Sequence, residues 1–183
     1  MAALIDDLLA FSRLGRQSLQ MRPVDMLELV RLNFDGLKAQ HQGKEPELRL
    51  GFLPAANGDR SLLAQVWVNL ISNAIKFSSR KEKPVIEVSA VSDVLEHTYF
   101  VRDNGAGFDP RFGAKLFGVF QRLHDTMDFP GTGVGLALVH RIVTRHGGRV
   151  WAEGEPGVGA TFYFTLPRSG NDGAVRADRD IAG

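Results

Sequence analysis

Apolar residues recur at intervals of three and four along four stretches of this chain, a spacing that places them on one face of an amphipathic helix. Asp25 and Asp59 stand just before two of these stretches, where an aspartate side chain can cap a helix N-terminus. Glu28, three residues after Asp25, completes the pattern of a capping box. We therefore predict helices over residues 4–14, 26–39, 61–77 and 136–146.

The segments between these helices contain shorter runs that favour strands, and a polar turn at Ser92 and Asp93 joins two of them into a predicted hairpin. Helices and strands alternate irregularly and not as repeated βαβ units. We therefore expect an α/β two-layer sandwich, in which about three helices cover a mixed sheet and a helical segment precedes it. The predicted strands cover residues 48–52, 85–91, 98–102, 149–153 and 160–166.

Composition limits the classes of partner. With 183 residues, 44% of them hydrophobic, the chain can bury one good core and a smaller appendage. The 22 basic and 21 acidic residues nearly cancel, so we expect neither nucleic acid nor an anionic membrane as a partner. The absence of cysteine excludes disulfides and thiolate chemistry and fits a reducing cytoplasm, where we expect the protein. We find no apolar run that could span a bilayer and no signal-like start.

The predicted helix over 61–77 carries a narrow polar strip. At about 100° per residue, Gln65, Asn69, Asn73 and Lys76 fall on one side, while apolar residues fill most of the remaining circumference. Amides in a largely buried helix cost free energy unless they are hydrogen-bonded. The strip therefore indicates a polar ligand or a wet cleft, with a narrow solvated face as the alternative.

Two glycine-containing segments add a second and a third part of a ligand site. Asp103 ends a predicted strand and precedes Gly105 and Gly107, which permit close backbone approach, so its carboxylate could accept a hydrogen bond from an exocyclic amine. An ordinary turn is the alternative. The segment 131–136, of sequence GTGVGL, enters the last predicted helix, whose N-terminus can bind phosphate oxygens. Its spacing fits neither a Walker loop nor a dinucleotide fingerprint. Together these parts predict an ATP site.

In order, the blocks 69–76, 103–107, 117–120 and 131–136 resemble the N, G1, F and G2 boxes of sensor histidine kinases. That family belongs to a wider group with gyrase, Hsp90 and MutL. The resemblance covers residues 59–167. The opening residues 4–16 resemble the second helix of the family's dimerisation hairpin, and the segment after Phe120 looks most like the phytochrome-type subset.

The resemblance implies a role for each matching residue. Asn73 would bind Mg²⁺, an ion that prefers oxygen ligands. Asn69 and Lys76 would act catalytically beside the metal and the γ-phosphate. Asp103 would accept from the adenine amino group, with Gly105 and Gly107 forming the pocket wall, and residues 121–130 would form a lid. The other implied nucleotide-binding residues are Phe120, Arg122, Gly131, Thr132, Gly133, Val134, Gly135 and Leu136.

The resemblance also divides the chain. We expect residues 1–22 to be the second hairpin helix, 23–167 the ATP-binding catalytic domain and 168–183 a disordered tail. His41 and Pro46 match the spacing of the family's phosphoacceptor motif, but Gly43 indicates a turn there. We therefore expect the acceptor histidine to lie outside this chain. We expect His97, His124, His140 and His146 to be surface, lid or helix-face residues.

Three functions remain open at this point. In relatives that hydrolyse ATP a glutamate general base occupies the place of Asn69, and an amide lacks the basicity to activate water. A histidine kinase is therefore favoured. The implied partners are ATP, the family's dimerisation helices, a response regulator and a second copy of the chain. The alternatives are a non-catalytic nucleotide-binding regulator and a protein serine kinase of the anti-sigma type.

Overall fold

The computed structural model describes residues 2–122, 129 and 131–169. The predicted disorder of residues 170–183, most of the predicted lid and His124 lie outside the described residues. The four helices are α1 (Ala2–Arg13), α2 (Met26–Gln40), α3 (Arg60–Ser78) and α4 (Gly135–Arg145), and a 3₁₀ helix covers Pro110–Lys115. The strands are β1 (Arg22–Val24), β2 (Glu47–Leu50), β3 (Ala56–Gly58), β4 (Val85–Ser92), β5 (Glu96–Asp103), β6 (Val150–Glu155) and β7 (Gly159–Pro167).

The main sheet is mixed, as predicted. Its five strands have the order β2-β4-β5-β7-β6, in which β2 is parallel to β4 and every other pair is antiparallel. Strands β4 and β5 form the predicted hairpin, with Ser92 opposite His97. Helix α3 packs on β4 and β5, α4 packs on β6 and β7, and α2 packs against α3. The expected two-layer α/β architecture is confirmed.

An aromatic cluster fixes the rotation of α3. The side chain of Trp67 is fully buried and meets Tyr99 and Phe164 edge to face, with ring centroids 5.9 and 5.0 Å away. Tyr99 and Phe164 stack on each other at 5.2 Å. Because Trp67 anchors one side of the helix to the sheet, Asn69 and Asn73 lie on the opposite side.

Both predicted N-caps are present. Asp25 accepts a hydrogen bond from the backbone N–H of Glu28 at 3.0 Å, and Asp59 accepts from Leu62 at 3.2 Å. The reciprocal half of the capping box is wrong, because the Glu28 carboxylate instead accepts from Arg60 Nη1 at 3.3 Å. An exposed glutamate at this position can reach the first residue of the neighbouring helix, and the guanidinium replaces the backbone donor.

Three elements were not predicted. Strands β1 and β3 form a separate antiparallel pair, in which Arg22 lies opposite Gly58 and Val24 opposite Ala56. Three-residue strands are too short to show an alternating pattern. The 3₁₀ helix follows Asp109, whose side chain accepts from the backbone N–H of Arg111 at 2.9 Å.

Helix α1 docks on α4. The guanidinium of Arg141 lies 4.6 Å above the ring of Phe11, and Arg145 donates hydrogen bonds to the backbone oxygens of Leu14 and Gln17. The opposite side of α1 keeps Ile5 and Leu9 exposed. Among the described residues we find no helix that is long and apolar enough to cross a membrane.

Candidate nucleotide-binding site

A cavity of about 270 Å³ lies between α3, the glycine-rich segment before α4 and the end of the 3₁₀ region. Its polar lining comes from Asn69, Asn73 and Lys76 of α3 and from residues 131–133 and 135 of the glycine-rich segment. Its apolar part is formed by Phe77, Leu116, Phe129 and Phe162. A cavity with both polar and apolar lining suits a ligand that combines a flat ring with charged groups.

Asn69 links the two helices that border the cavity. Its Nδ2 donates to the backbone oxygen of Gln65 at 2.8 Å, which fixes the orientation of the amide. Its Oδ1 then faces Gly135, where a β-carbon would lie only 2.5 Å away. Gly135 therefore permits the close approach of α4 to α3, and Asn69 is held in one orientation before any ligand arrives.

Asn73 differs from Asn69 because its side chain makes no hydrogen bond to any residue that the structure describes. It is half-buried and lines the cavity one turn after Asn69. A partly buried amide without a partner costs free energy, and a ligand or metal ion at this position would offset that cost. Its oxygen is a suitable donor for a hard cation.

Lys76 and Arg122 place two positive charges at the cavity. The ammonium of Lys76 lies 4.6 Å from the centroid of the Phe77 ring and next to Gly131. Burial, and secondarily the nearby guanidinium of Arg122, lower the pKa of Lys76 below its ordinary value. Arg122 donates from Nη2 to the backbone oxygen of Phe129 at 2.8 Å. An anion bound between these cations would be stabilised by both and would raise the pKa of Lys76 again.

The glycine-rich segment leads into an uncapped helix. Within the described part of the chain no side chain caps the first turn of α4, so its N–H groups are suited to binding an anion. Gly133 adopts φ +73°, and its carbonyl accepts from the backbone N–H of Phe120 at 2.9 Å. Phe120 itself has φ +61°, which is unusual for a residue with a side chain. The segment is therefore joined to the residues after the 3₁₀ region by backbone contacts.

Asp103 is buried at the end of β5. Burial raises its pKa from 3.8 to about 6, although hydrogen bonds from the backbone of Gly105 and Ala160 act in the opposite direction. The bond from Gly105 N–H to Oδ1 is 2.8 Å long. Asp103 borders a neighbouring groove with Asn104 and Gly159 and does not line the cavity itself.

Gly105 and Gly107 hold this loop against other backbone. A β-carbon on Gly105 would collide with the carbonyl of Phe77 at the end of α3. Gly107 has φ +63°, and a β-carbon there would collide with the carbonyl of Glu155. Gly105 therefore lets the loop after Asp103 approach the end of α3, and Gly107 lets it approach β6; neither glycine lines the cavity.

Comparison with known proteins identifies the family. A family model described as histidine kinase-, DNA gyrase B-, and HSP90-like ATPase matches residues 58–170. The chain belongs to this family. The matched region contains α3, the Asp103 loop and the glycine-rich segment, which together surround the cavity.

Relatives within the family are histidine kinases and phytochromes. The phytochrome-like protein Cph1 of Synechocystis sp. is 38% identical over 91% of this chain and 22% of its own length. The methanogenesis regulatory histidine kinase FilI of Methanothrix harundinacea is 37% identical over 90% of this chain and 18% of its own length. The chain thus spans about a fifth of the length of these relatives.

A solved structure agrees with the sequence relatives. The crystal structure of full-length ShkA in complex with AMPPNP has a TM-score of 0.77 and 30% identity, covering 90% of this chain and 35% of that one. The family model, the relatives and this structure agree that the chain resembles the catalytic region of sensor histidine kinases. The phytochrome-like relative agrees with the subset expected from the sequence.

Most of the residues implied by the family resemblance border one cavity. Those that line it are Asn69, Asn73, Lys76, Arg122, Gly131, Thr132, Gly133, Gly135 and Leu136. Five others lie outside its lining: Asp103, Gly105, Gly107, Phe120 and Val134. Val134 is fully buried as the residue before α4, and the side chain of Phe120 is 58% exposed.

Several residues that line the cavity were not among the site residues predicted from the sequence. Phe77 directly follows Lys76, and this proximity to the polar strip could have identified it as a cavity residue. Leu116 and Phe162 have the same apolar character as core residues, so no local signal distinguishes them. Asp7 comes from α1, and only the folded chain brings it to the cavity.

The histidines take no part in the cavity among the described residues. His41 directly follows α2, in the turn expected for it, and His140 is exposed. The surface or helix-face positions expected for His97 and His146 are wrong, because both side chains are buried. His146 accepts a hydrogen bond from the backbone N–H of Asp59 at 3.0 Å, and His97 bonds to Ser92 at 2.6 Å. Each satisfies a polar group inside the fold.

Proposed function

We propose that this region binds Mg-ATP in the cavity and transfers the γ-phosphate to a histidine on another helix or chain. The observation that carries this proposal is the amide of Asn69, whose Nδ2 is bonded to Gln65 and whose oxygen faces Gly135. An amide has no usable basicity, so it cannot activate a water molecule. Phosphoryl transfer to a protein nucleophile is therefore favoured over hydrolysis.

The proposed metal ligand is Asn73. Its amide is half-buried, faces the cavity and is unpaired within the described residues, which fits an oxygen ligand of Mg²⁺. No group of three His, Asp or Glu side chains that could hold a metal occurs in the described part of the chain. Bound Mg²⁺ would neutralise phosphate charge, while Lys76 and Asn69 would hold the phosphates in position for transfer.

The proposed adenine end combines the apolar surfaces with Asp103. Phe77 and Phe162 offer apolar surfaces to a flat ring. Gly105 touches the backbone of Phe77, which lines the cavity, and its N–H donates to the Asp103 carboxylate. An ionised carboxylate here would accept from an exocyclic amine, which adenine has and guanine lacks at that ring position. We propose that this bond selects adenine nucleotides.

The proposed partners follow from the histidine kinase type. The phosphoryl acceptor would be a histidine of the dimerisation hairpin in a longer chain, and a response regulator would receive the phosphoryl group next. The exposed apolar side of α1, which carries Ile5 and Leu9, is suited to a second hairpin helix. We propose that these reactions take place in the cytoplasm.

The test supplies the missing acceptor. The protein would be incubated with radiolabelled ATP, Mg²⁺ and a histidine-bearing dimerisation hairpin from a relative, with a His-to-Gln version of that hairpin as the control. We expect acid-labile, alkali-stable label on the first hairpin only. Tight ATP binding without any transfer would favour a regulator, and an acid-stable label would favour a serine kinase.

A further inference from the structure

Helix α1 supplies a residue to the nucleotide cavity. The hydroxyl of Thr132 donates a hydrogen bond to Asp7 Oδ2 at 2.7 Å, across 125 positions of the sequence. Both side chains line the cavity, and Thr132 belongs to the glycine-rich segment that leads into α4. The bond therefore joins α1 to the wall of the cavity where phosphates are expected.

Asp7 is held in this position by the docking of its helix. The ring of Phe11, one turn later, lies under Arg141, and Arg145 bonds to the backbone at the end of α1. Asp6, the neighbouring carboxylate, is exposed and does not line the cavity. The helix thus presents one of two adjacent aspartates to the site.

The charge of Asp7 is opposite to that of the other ionisable groups at the cavity. Lys76 and Arg122 are cationic, and Asp7 is the one carboxylate among the lining residues that the structure describes. A nucleotide phosphate that approached Thr132 would meet a carboxylate of the same sign. Like charges within a few ångströms repel, and the repulsion is strongest away from bulk water.

A threonine hydroxyl has a single proton to donate. In this structure the Asp7 carboxylate accepts the hydrogen bond from that hydroxyl. A phosphate oxygen that bonds to the same hydroxyl would have to replace the carboxylate. We propose that Asp7 and a nucleotide phosphate compete for the hydroxyl of Thr132, so that docking of α1 and binding of ATP oppose each other. This inference rests on the proposed function, since it requires phosphates at this end of the cavity.

Thermodynamic linkage makes this competition reciprocal. Docked α1 weakens ATP binding, and bound ATP weakens the docking of α1 by the same factor. Adenosine, which has no phosphates, leaves the Asp7–Thr132 bond in place. The nucleotide would therefore release the helix that the family resemblance assigns to dimerisation.

The first experiment compares Asp7→Asn with Asp6→Asn in the full chain. Both changes remove one negative charge from α1, but only the first removes it from the cavity. We expect calorimetry to show about tenfold tighter Mg-ATP binding for Asp7→Asn. For adenosine we expect the same affinity in both variants and in the wild type. Asp6→Asn should bind both ligands like the wild type.

Two results would overturn the inference while leaving the proposed function intact. If the wild type binds Mg-ATP and Asp7→Asn binds it equally well, Asp7 and phosphate do not compete. If Asp7→Asn binds Mg-ATP more weakly, the carboxylate supports the metal and does not oppose the phosphate. A folded wild type that binds no adenine nucleotide would overturn the proposed function and, with it, this inference.

A second readout follows the helix itself. Backbone amides of α1 should exchange with solvent faster when Mg-ATP is present and at an unchanged rate when adenosine is present. In the Thr132→Val background, the change Asp7→Asn should alter ATP affinity less than in the wild type, because the shared donor is gone. Unchanged exchange of α1 on ATP binding would contradict the competition.

Discussion

The two walls of the nucleotide cavity are built in different ways. The α3 wall, formed by Asn69, Asn73 and Lys76, is fixed from behind by a fully buried core around Trp67. The glycine-rich wall, formed by residues 121–122 and 131–133, is held by a backbone bond between Phe120 and Gly133, both at positive φ, and by a bond to α1. One wall is positioned by the core, and the other depends on contacts that a ligand can replace.

This difference assigns separate tasks to the two walls. Side chains proposed to bind a metal ion and phosphate should be in place before the ligand arrives, because later ordering would cost binding free energy. The core behind α3 meets that requirement. A wall that closes over a substrate must instead change its contacts on binding. The uncapped start of α4 and the shared Thr132 hydroxyl give the glycine-rich wall that capacity.

The largest expected effect comes from removing the support behind the α3 wall. Trp67→Ala should lower the free energy of unfolding by about 3–5 kcal/mol, because it leaves a cavity between α3 and the sheet. Trp151 is the matched control, since it stacks on Tyr163 at 5.0 Å but remains partly exposed. Denaturant unfolding should show a much smaller loss for Trp151→Ala. Equal losses would contradict the special role of the α3 core.

The next effect concerns Asp103. Asp103→Ala should weaken ATP binding by about tenfold to a hundredfold, since it removes a charge-assisted hydrogen bond of about 1.5–3 kcal/mol. Circular dichroism should show a folded protein. Unchanged affinity for ATP would exclude Asp103 from adenine recognition.

The raised pKa of Asp103 gives this prediction a pH dependence. The folded carboxyl has a pKa of about 6, above its ordinary 3.8, so it is protonated below about pH 6. A bound exocyclic amine favours the ionised form, and ATP affinity should therefore fall as the pH falls through this value. Asp103→Asn should lack this component, while phosphate protonation affects both proteins.

The burial cost of the ionised form is present above the folded pKa and is relieved on acidification, so Asp103→Asn should stabilise the free protein at neutral pH more than at about pH 4.

A smaller effect tests the contact between the two walls. In Gly135→Ala, the new β-carbon would meet Asn69 Oδ1, so the free energy of unfolding should fall by about 1–2 kcal/mol and ATP binding should weaken. Gly36→Ala is the control, because a β-carbon in that α2 position meets nothing within 4 Å. It should raise the stability by about 0.5–1 kcal/mol. Similar thermal shifts of the two variants would refute the close contact.

The smallest effect concerns Phe120, the positive-φ residue that bonds to the glycine-rich wall. Phe120→Gly should raise the free energy of unfolding by about 0.5–1 kcal/mol, because glycine adopts positive φ without steric cost. Phe112 is also partly exposed but has no positive φ, so Phe112→Gly should destabilise the protein. Thermal unfolding distinguishes the two. A loss of stability in both variants would show that Phe120 is not strained.

The sequence patterns correctly predicted the helix caps and the polar side of α3, because local geometry determines both. The spacing of Asp25 and Asp59 from the following helices identified their caps, because an aspartate bonds to an N–H three residues later. The helical period of about 3.6 residues placed Asn69 and Asn73 on one side of α3, and the structure places both at the cavity. These features depend on a few neighbouring residues, so a single sequence contains them.

Long-range features could not be predicted in this way. The bond between Asp7 and Thr132 joins residues that have no sequence pattern in common. The burial of His146 depends on α4 packing against the start of α3, where Asp59 supplies a backbone donor. The position of Asp103 beside the cavity and outside its lining depends on how Gly105 and Gly107 pack on distant backbone. Each of these depends on the tertiary arrangement.

The most direct test of the central claim is a calorimetric titration of the wild type and Asn73→Ala with ATP and ADP, each with and without Mg²⁺, and with GTP as the specificity control. The account predicts adenine-selective binding that Mg²⁺ strengthens in the wild type, and a loss of about tenfold in Asn73→Ala that is confined to the metal-containing titrations. Absence of nucleotide binding by the folded wild type, or an equal loss with and without Mg²⁺ in Asn73→Ala, would contradict it.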